Sequence, residues 1–438
     1  MKDPLDDLSI EVRQVVAGIA VFAAAAVALV VVNPTLAGTI GVLLFFFVFM
    51  IGLHELGHFV MAKRAGMKVT EFFIGFGPRL WSVQRGETEY GIKAIPLGGY
   101  CKIIGMTNLD DIDPADEPRA YRSKGWWGKV STVVAGPVTH FALAILLVYV
   151  VLVGAGDYSE RETTTTIDRV STEILRHDAA GEVVERIEGP AYAAGLRTGD
   201  RVLAVDGDAI ADWDEMVEIF ETSPGATLAV EVDRGGARGT FDVELLTAYL
   251  DPVTGEKVLD EPEGATKVGF AGLEPDIFVP SVSAFDALGL APARTLAYTG
   301  DTIGGLGHIF SPAGLGEYLD NFGSDGDSGG NQTRFVSPIG FGKVANDAVR
   351  AGWVSVFSLL IAINLFVGLL NLLPLLPFDG GHIAVASYEA IASRVRGRRV
   401  RVDFAKLVPV MVATLSILAF IFLSSLFLDL ANPADSPF

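Results

Sequence analysis

The sequence predicts a polytopic α-helical membrane protein of about five spans, with a membrane-associated β-hairpin region and an inserted extracytoplasmic α+β domain. Three observations predict it. Half of the 438 residues are hydrophobic, too large a share for an ordinary soluble enzyme in a chain long enough for more than one unit. Apolar stretches of bilayer-crossing length lie near 14–33, 39–62, 132–154, 354–376 and 407–428. The charge is also segregated, because Asp157 to Arg350 carries 35 acidic against 14 basic residues, a net of −21 in a chain whose formal charge is −20. An acidic soluble insert therefore sits in a nearly neutral membrane part, which argues against nucleic-acid binding. The single cysteine, Cys101, excludes an intrachain disulfide and a cysteine-rich zinc site.

Each element follows in order. Met1–Arg13 is acidic and the run Val15–Val32 exceeds a signal-peptide core, so residues 1–37 are expected to hold a retained additional span; cleavage at Thr35-Leu-Ala-Gly38 is the alternative. Residues 38–156 form the first half of a membrane core. Within it, Glu89–Met106 mixes β-favouring residues with glycines and Pro96, predicting short strands and turns. That segment is either a hairpin dipping toward the membrane, with an edge able to take up an extended peptide, or a cytoplasmic surface hairpin. In the insert, assigned to 157–250, Gly199-Asp200 and Asp206-Gly207 are turn signals around the alternating strand Arg201–Val205, with a helix expected over Asp212–Thr222 and a strand over Leu228–Asp233. Residues 251–350 read as an extracytoplasmic linker with an amphipathic stretch, Ala284–Phe322, and a Gly/Ser/Asp-rich run at 323–332. The second half of the membrane core spans 351–430, and 431–438 is a tail.

Basic residues orient the chain. Lys63 and Arg64, then Arg119, Arg122, Lys124 and Lys129, and finally the arginines and lysine from Arg394 to Lys406 mark three places on the cytoplasmic side. This puts the N-terminus and 63–131 inside, and 155–350 and the C-terminus outside.

The second span contains Ile51-Gly-Leu-His-Glu-Leu-Gly-His58. On a helix His54 and His58 stack on one face, close enough to share a metal, while Glu55 can serve as a base toward water. Ionisable residues are rare inside a span unless they act there, although two histidines hydrogen-bonded in a helical bundle are the bland alternative. Counting from Gly38, His54 lies roughly 24 Å into a core of about 30 Å, in its cytoplasmic third. A catalytic zinc takes three protein ligands and keeps one position open, so a third is needed. Asp379, in Asn371-Leu-Leu-Pro-Leu-Leu-Pro-Phe-Asp-Gly-Gly-His382, follows a helix broken at Pro374 and Pro377 and lies at a similar depth. His382 is a rival ligand, and a plain Asp-Gly turn is the third reading.

These residues carry a resemblance. His54-Glu55-x-x-His58, Ile95-Pro-Leu-Gly-Gly-Tyr100, Ala135-Gly-Pro137, the insert, and Asn371-x-x-Pro374 with Asp379-Gly-Gly381 together resemble the bacterial site-2 protease family, intramembrane zinc metalloproteases of the regulator-of-sigma-E type. The wording around Asp379 and the arginine-rich loop after it are most similar to the actinobacterial branch. The insert is similar to a PDZ domain over about 164–248. The resemblance implies Zn2+ on His54, His58 and Asp379, and Glu55 as general base. It implies substrate handling by Asn371 and Pro374, and substrate alignment by the hairpin that carries Gly98 and Gly99. The implied substrates are single-span transmembrane proteins in the cell membrane, such as anti-sigma factors already trimmed by another protease. Two departures stand out: the span at 14–33 is outside the common four-span core, and His140 occupies a position after Ala-Gly-Pro where the family often has asparagine. His140 is expected as a hydrogen-bonded span residue rather than a metal-related one. Two readings compete with proteolysis of this type: a PDZ-bearing membrane adaptor with a non-catalytic zinc site, and a prenyl-protein type of zinc protease whose third ligand is a glutamate on another helix.

Overall fold

The computed structural model describes residues 34–107, 111–177, 183–250, 257–262, 264–320 and 335–431. The expected span at 14–33, the linker run at 323–332 and nearly all of the tail fall outside them. The described residues begin with helix α1 (Pro34–Arg64), strands β1 (Val69–Arg85) and β2 (Thr88–Ile103), and helix α2 (Trp126–Ala155). A β-rich run follows: β3 (Glu162–Val170), β4 (Glu173–His177), β5 (Val183–Glu188), α3 (Pro190–Ala193), β6 (Arg201–Val205), β7 (Asp208–Ala209), α4 (Trp213–Glu221), β8 (Thr227–Arg234), β9 (Ala237–Glu244), β10 (Leu246–Leu250), β11 (Lys257–Val258), β12 (Thr266–Phe270) and β13 (Leu273–Phe278). The described residues close with α5 (Ala284–Ile309), α6 (Pro312–Asp320), α7 (Pro338–Ala351), α8 (Trp353–Asn371), α9 (Asp379–Arg396) and α10 (Val408–Ala431). These elements form two units. One takes in the described residues of Met1–Val151, Phe285–Leu319 and Thr333–Phe438; the other takes in those of Leu152–Ala284 and Asp320–Gln332.

In the helical unit, four helices among the described residues are long and apolar enough to cross a membrane: Gly41–Arg64, Trp126–Ala155, Trp353–Asn371 and Phe404–Leu430. The third stops five residues short of the apolar stretch, at Asn371, because Pro374 and Pro377 cannot continue a helix. α1 ends where Gly66 takes φ +67° and the Met67 N–H returns to the Ala62 carbonyl at 2.9 Å, a left-handed C-terminal cap that only glycine adopts cheaply. Basic groups gather at this end of the helices. Glu87 binds both Lys63 and Arg119, Arg399 donates to the Arg122 carbonyl at 3.1 Å, and Lys129 pairs with Glu389 at 2.7 Å with both side chains nearly buried. The three basic stretches singled out in the sequence therefore meet at one level of the unit.

β1 and β2 form a long ribbon that curls on itself. Phe72 lies opposite both Cys101 and Tyr90, and Ile74 opposite both Gly99 and Ile92. The Gly99–Ile103 half of β2 has β1 on one side and, among the described residues, no strand on the other. The ribbon exposes Phe76, Leu80, Trp81, Ile92 and Ile95, an apolar cluster of a kind that soluble surfaces rarely carry. On α5 the large exposed residues Phe285, Leu288, Leu296 and Ile303 fall on one helical face.

The second unit is built on an antiparallel sheet of order β13-β3-β6-β8-β9, with β7 paired to β6. The turn expected at Asp206-Gly207 is present, with φ +51° and +89° in the two-residue β6–β7 connection. β8 alternates as expected, burying Leu228, Val230 and Val232, and a fully buried valine contributes roughly 1.5–3 kcal/mol. α4 covers this core with Trp213, Met216 and Phe220. Its first turn is held by Asp212, which accepts from the Glu215 N–H at 2.9 Å, while Glu215 reaches back to the Ala211 N–H at 2.6 Å. The unit continues beyond residue 250: β13 pairs with β3 along Leu273–Phe278, and β12 pairs with β10. A domain ending at 250 would leave β3 without that neighbour.

Asp200 fixes the corner before β6. It is almost fully buried, receives two 2.6 Å bonds from Arg234 and accepts from the Arg197 N–H at 2.8 Å. Burial pushes its carboxyl up, but the Arg234 guanidinium and the Arg197 N–H outweigh that and hold it below the ordinary range. Its stabilisation is therefore complete above the ordinary aspartate range, near pH 4, and is lost as pH falls through the lowered folded value. Asp200→Asn is expected to cost about 2 kcal/mol at pH 7 and to flatten the acid side of the profile, measured by hydrogen exchange of β6 and β8 amides between pH 7 and pH 3.

Candidate metal centre

α1 places His54 and His58 one turn apart, with ring centroids 4.6 Å from each other. Their surroundings are made by a close crossing with α2. A methyl group on Gly57 would lie 2.5 Å from the Ala135 carbonyl oxygen, and one on Gly136 would lie 2.4 Å from His58 Nε2 and 2.7 Å from His54 Cε1. Only glycine lets the α2 backbone come that near, as small residues do in packed membrane helices.

The third group arrives from 321 residues further on. After α8 stops at Asn371, the Leu372–Phe378 loop folds back on the start of α9, so that a methyl on Gly380 would lie 2.2 Å from the Leu373 carbonyl and one on Gly381 2.7 Å from the Leu375 carbonyl carbon. The two glycines after Asp379 are thus required by the turn that delivers it. Asp379 is the first residue of α9, where the partial positive charge of the helix N-terminus favours a carboxylate.

His54 Nε2 and His58 Nε2 are 3.0 Å apart, and Asp379 Oδ2 lies 3.2 Å from the first and 3.3 Å from the second. Both histidines are 9% exposed. Donors on a tetrahedral zinc with bonds of about 2.0–2.1 Å are separated by about 3.3 Å, so the spacing matches. The protonation pattern agrees. His58 Nδ1 faces the Thr132 carbonyl at 2.9 Å, an acceptor only, so the proton of the neutral ring is on Nδ1 and Nε2 is a bare lone pair. Asp379 Oδ2 is buried and receives no hydrogen bond, which is costly for a carboxylate oxygen unless a cation satisfies it. These donors fit zinc. Among the described residues, His54, His58 and Asp379 are the group of histidine, cysteine and acidic residues placed to hold a metal ion; no glutamate belongs to it.

The other residues singled out in the sequence distribute around this cluster. Glu55 faces β2, where a methyl on Gly99 would be 3.1 Å from Glu55 Cγ and 3.2 Å from Ile51. Gly98 has φ +148°, and a methyl there would be 2.3 Å from the Phe76 ring. Asn371 is the half-buried last residue of α8 and Pro374 is exposed in the loop that delivers Asp379. His382 sits one turn along α9 from Asp379 but outside the cluster; its buried Nδ1 has no hydrogen-bond partner, and it lines a small cavity with Tyr121, Lys129 and Glu389. His140 is hydrogen-bonded within α2's surroundings, and one of its partners is His54, Nε2 to Nδ1 at 3.1 Å. Sequence reasoning did not find Thr132 or Asn364, and it met Gly136 only as part of Ala135-Gly-Pro137, without its packing role. Asn364 did leave a signal, as one of two amides, with Asn371, in the apolar run 354–376.

The sequence profile of peptidase family M50 matches residues 42–418. The chain is 35% identical over 405 residues to zinc metalloprotease Rip1 of Mycobacterium tuberculosis, covering 90% of this chain and 98% of that one. It is 33% identical over 412 residues to zinc metalloprotease Rip1 of Mycolicibacterium smegmatis, with the same coverage. The expected likeness to the actinobacterial branch is thus borne out. Among solved structures, the PDZ domain of an SdrC-like protein from Listeria monocytogenes is 19% identical and covers 24% of this chain and 87% of that chain at a TM-score of 0.16.

Gly136→Ala is expected to weaken zinc binding on the order of tenfold or more by driving a methyl into His58. Gly41→Ala, which meets nothing within 4 Å, is expected to leave it unchanged. Zinc content of the purified proteins after dialysis against a weak chelator checks both.

Proposed function

The chain belongs to peptidase family M50 and is a zinc metalloprotease, and on that premise we propose that it cleaves single-span membrane proteins within their transmembrane segments, with His54, His58 and Asp379 as the zinc ligands and Glu55 as the general base. The observation that carries the reading is a cluster of three protein donors, with no fourth among the described residues, since structural zinc sites are closed by four ligands and catalytic ones keep a position open. The adaptor with a non-catalytic site has no observation in its favour.

When bound, zinc supplies the Lewis acidity that polarises the scissile carbonyl and makes water acidic enough to lose its proton near neutral pH. Glu55 takes that proton and returns it to the leaving amine. A transmembrane helix hides its peptide bonds in its own hydrogen bonds, so substrate must be held unwound. The open edge of β2 beside Gly98 and Gly99 is suited to this by strand addition. Asn371 and Pro374, on the corner that carries Asp379, are assigned to substrate handling. The exposed apolar side chains of the hairpin support a position in the membrane rather than on its cytoplasmic surface.

The basic stretches that meet at one end of the helical unit support an active site near the cytoplasmic side of the cell membrane and a β-rich domain outside. We assign that domain, read as PDZ-like from strand order and from its helix α4, to residues 157–278, with the membrane core in 38–156 and 351–430. Anti-sigma factors already trimmed by another protease are the proposed substrates, and no nucleic acid is involved.

Glu55→Gln is expected to retain about one zinc per chain and to lower cleavage of a tagged single-span reporter in proteoliposomes by about 10²–10⁴-fold. Cleavage at the parent rate would remove Glu55 from the role, and zinc binding without cleavage by the parent protein would favour the adaptor.

A further inference from the structure

We propose that His140 and Asn364 are positioning residues for the metal centre: together they form a one-way hydrogen-bond chain that fixes the proton of His54 on Nδ1 and presents a bare Nε2 to zinc. The inference deepens the reading of His54 as a ligand and rests on it.

The direction of the chain is set at its far end. Asn364 Nδ2 donates to the Leu360 carbonyl at 2.8 Å, one turn back on α8, and this turns Oδ1 toward His140 Nδ1 at 3.3 Å. An amide oxygen only accepts, so His140 Nδ1 carries the proton. A neutral imidazole has one N–H, which leaves His140 Nε2 as an acceptor. That acceptor faces His54 Nδ1 at 3.1 Å, so the His54 proton sits on Nδ1 and its Nε2 lone pair points at His58 Nε2 and Asp379 Oδ2. Every step follows from the one before it, beginning at a backbone carbonyl that cannot change role.

The setting removes the alternatives that water would offer. His140 is 2% exposed and Asn364 is 0% exposed, so neither has solvent to bond with, and an unmatched polar group there is costly. The α8 backbone also passes close beside His140: a methyl on Gly368 would lie 3.1 Å from the His140 Cβ. The chain joins three helices, His54 on α1, His140 on α2 and Asn364 on α8. α8 is the helix whose end delivers Asp379, so the same bonds that orient His54 tie it to the element carrying the third donor. α2 serves both histidines, His58 through the Thr132 carbonyl and His54 through the His140 ring. Hydrogen bonds that fix the far nitrogen of a metal-bound histidine raise its basicity and hold its ring plane.

The test uses the full-length protein purified in detergent, with zinc affinity measured by competition with a chromogenic chelator and the visible bands of the cobalt-substituted protein as a second readout. His140→Phe keeps a flat ring and removes the acceptor; it is expected to weaken zinc binding by about 10–100-fold and to shift the cobalt bands, with one metal per chain at saturation. His140→Gln, whose amide reaches the place of Nε2, is expected to restore affinity to within a few-fold of the parent. His140→Asn, one methylene shorter and so unable to reach His54, is expected to behave like His140→Phe. Parent-like affinity and cobalt bands in His140→Phe would overturn the proposal, and so would equal affinities for the glutamine and asparagine variants, a comparison that holds even if the phenylalanine variant does not fold. His54→Ala separates the two levels. Loss of zinc there with none in His140→Phe removes the positioning role alone, whereas parent-like zinc affinity in His54→Ala removes the ligand reading and this proposal with it.

Discussion

Three electron pairs aimed at one point constrain the helical unit. Two imidazole nitrogens and a carboxylate oxygen approach within 3.0–3.3 Å of one another, with the His58 proton drawn off to a backbone carbonyl on the far side. Such an arrangement repels itself unless a cation sits among the donors, and in a low-dielectric interior the repulsion is far larger than in water. The neighbouring structure is shaped to maintain it. Gly57 and Gly136 bring α1 and α2 together, and Gly380 and Gly381 fold the α8–α9 corner tightly enough to bring Asp379 in.

The same constraint explains how a hydrolytic centre sits in apolar helices. Both histidines of the cluster are matched on their far nitrogen by a partner that leads outward to the backbone: His58 to Thr132, and His54 through His140 and Asn364 to Leu360. None of these bonds needs water, so the site is ordered before any substrate or solvent reaches it, and electrostatic preorganisation of this kind spares the reaction a reorganisation cost. The hairpin contributes differently. It packs Gly99 directly against Glu55 and Ile51, so closely that a side chain at this position would intrude on Glu55.

Much of this was legible in the sequence because it is local. The i, i+4 spacing of His54 and His58 states their common face, and Pro374 and Pro377 state that the following helix stops before Asp379. The turn at Asp206-Gly207 and the alternation of Leu228–Asp233 were equally plain. What escaped depends on pairings between distant segments. His140 bonds to a residue 86 positions away and Asn364 to one 224 positions away, and nothing in either stretch announces the partner. β13 joins β3 across the whole β-rich unit, so composition alone could not show that the insert continues past residue 250. Gly136 was visible as part of Ala-Gly-Pro, but its purpose appears only once α1 lies against it.

The central claim is that α1 and the start of α9 jointly build the zinc site, and X-ray absorption at the zinc edge on the purified full-length protein tests it most directly. The account predicts four light-atom ligands at about 2.0–2.1 Å with the outer-shell scattering of two imidazoles, and in Asp379→Ala the same two imidazoles around a weakly held metal. A shell with three imidazoles, or a spectrum unchanged in shape and metal content by Asp379→Ala, would contradict it.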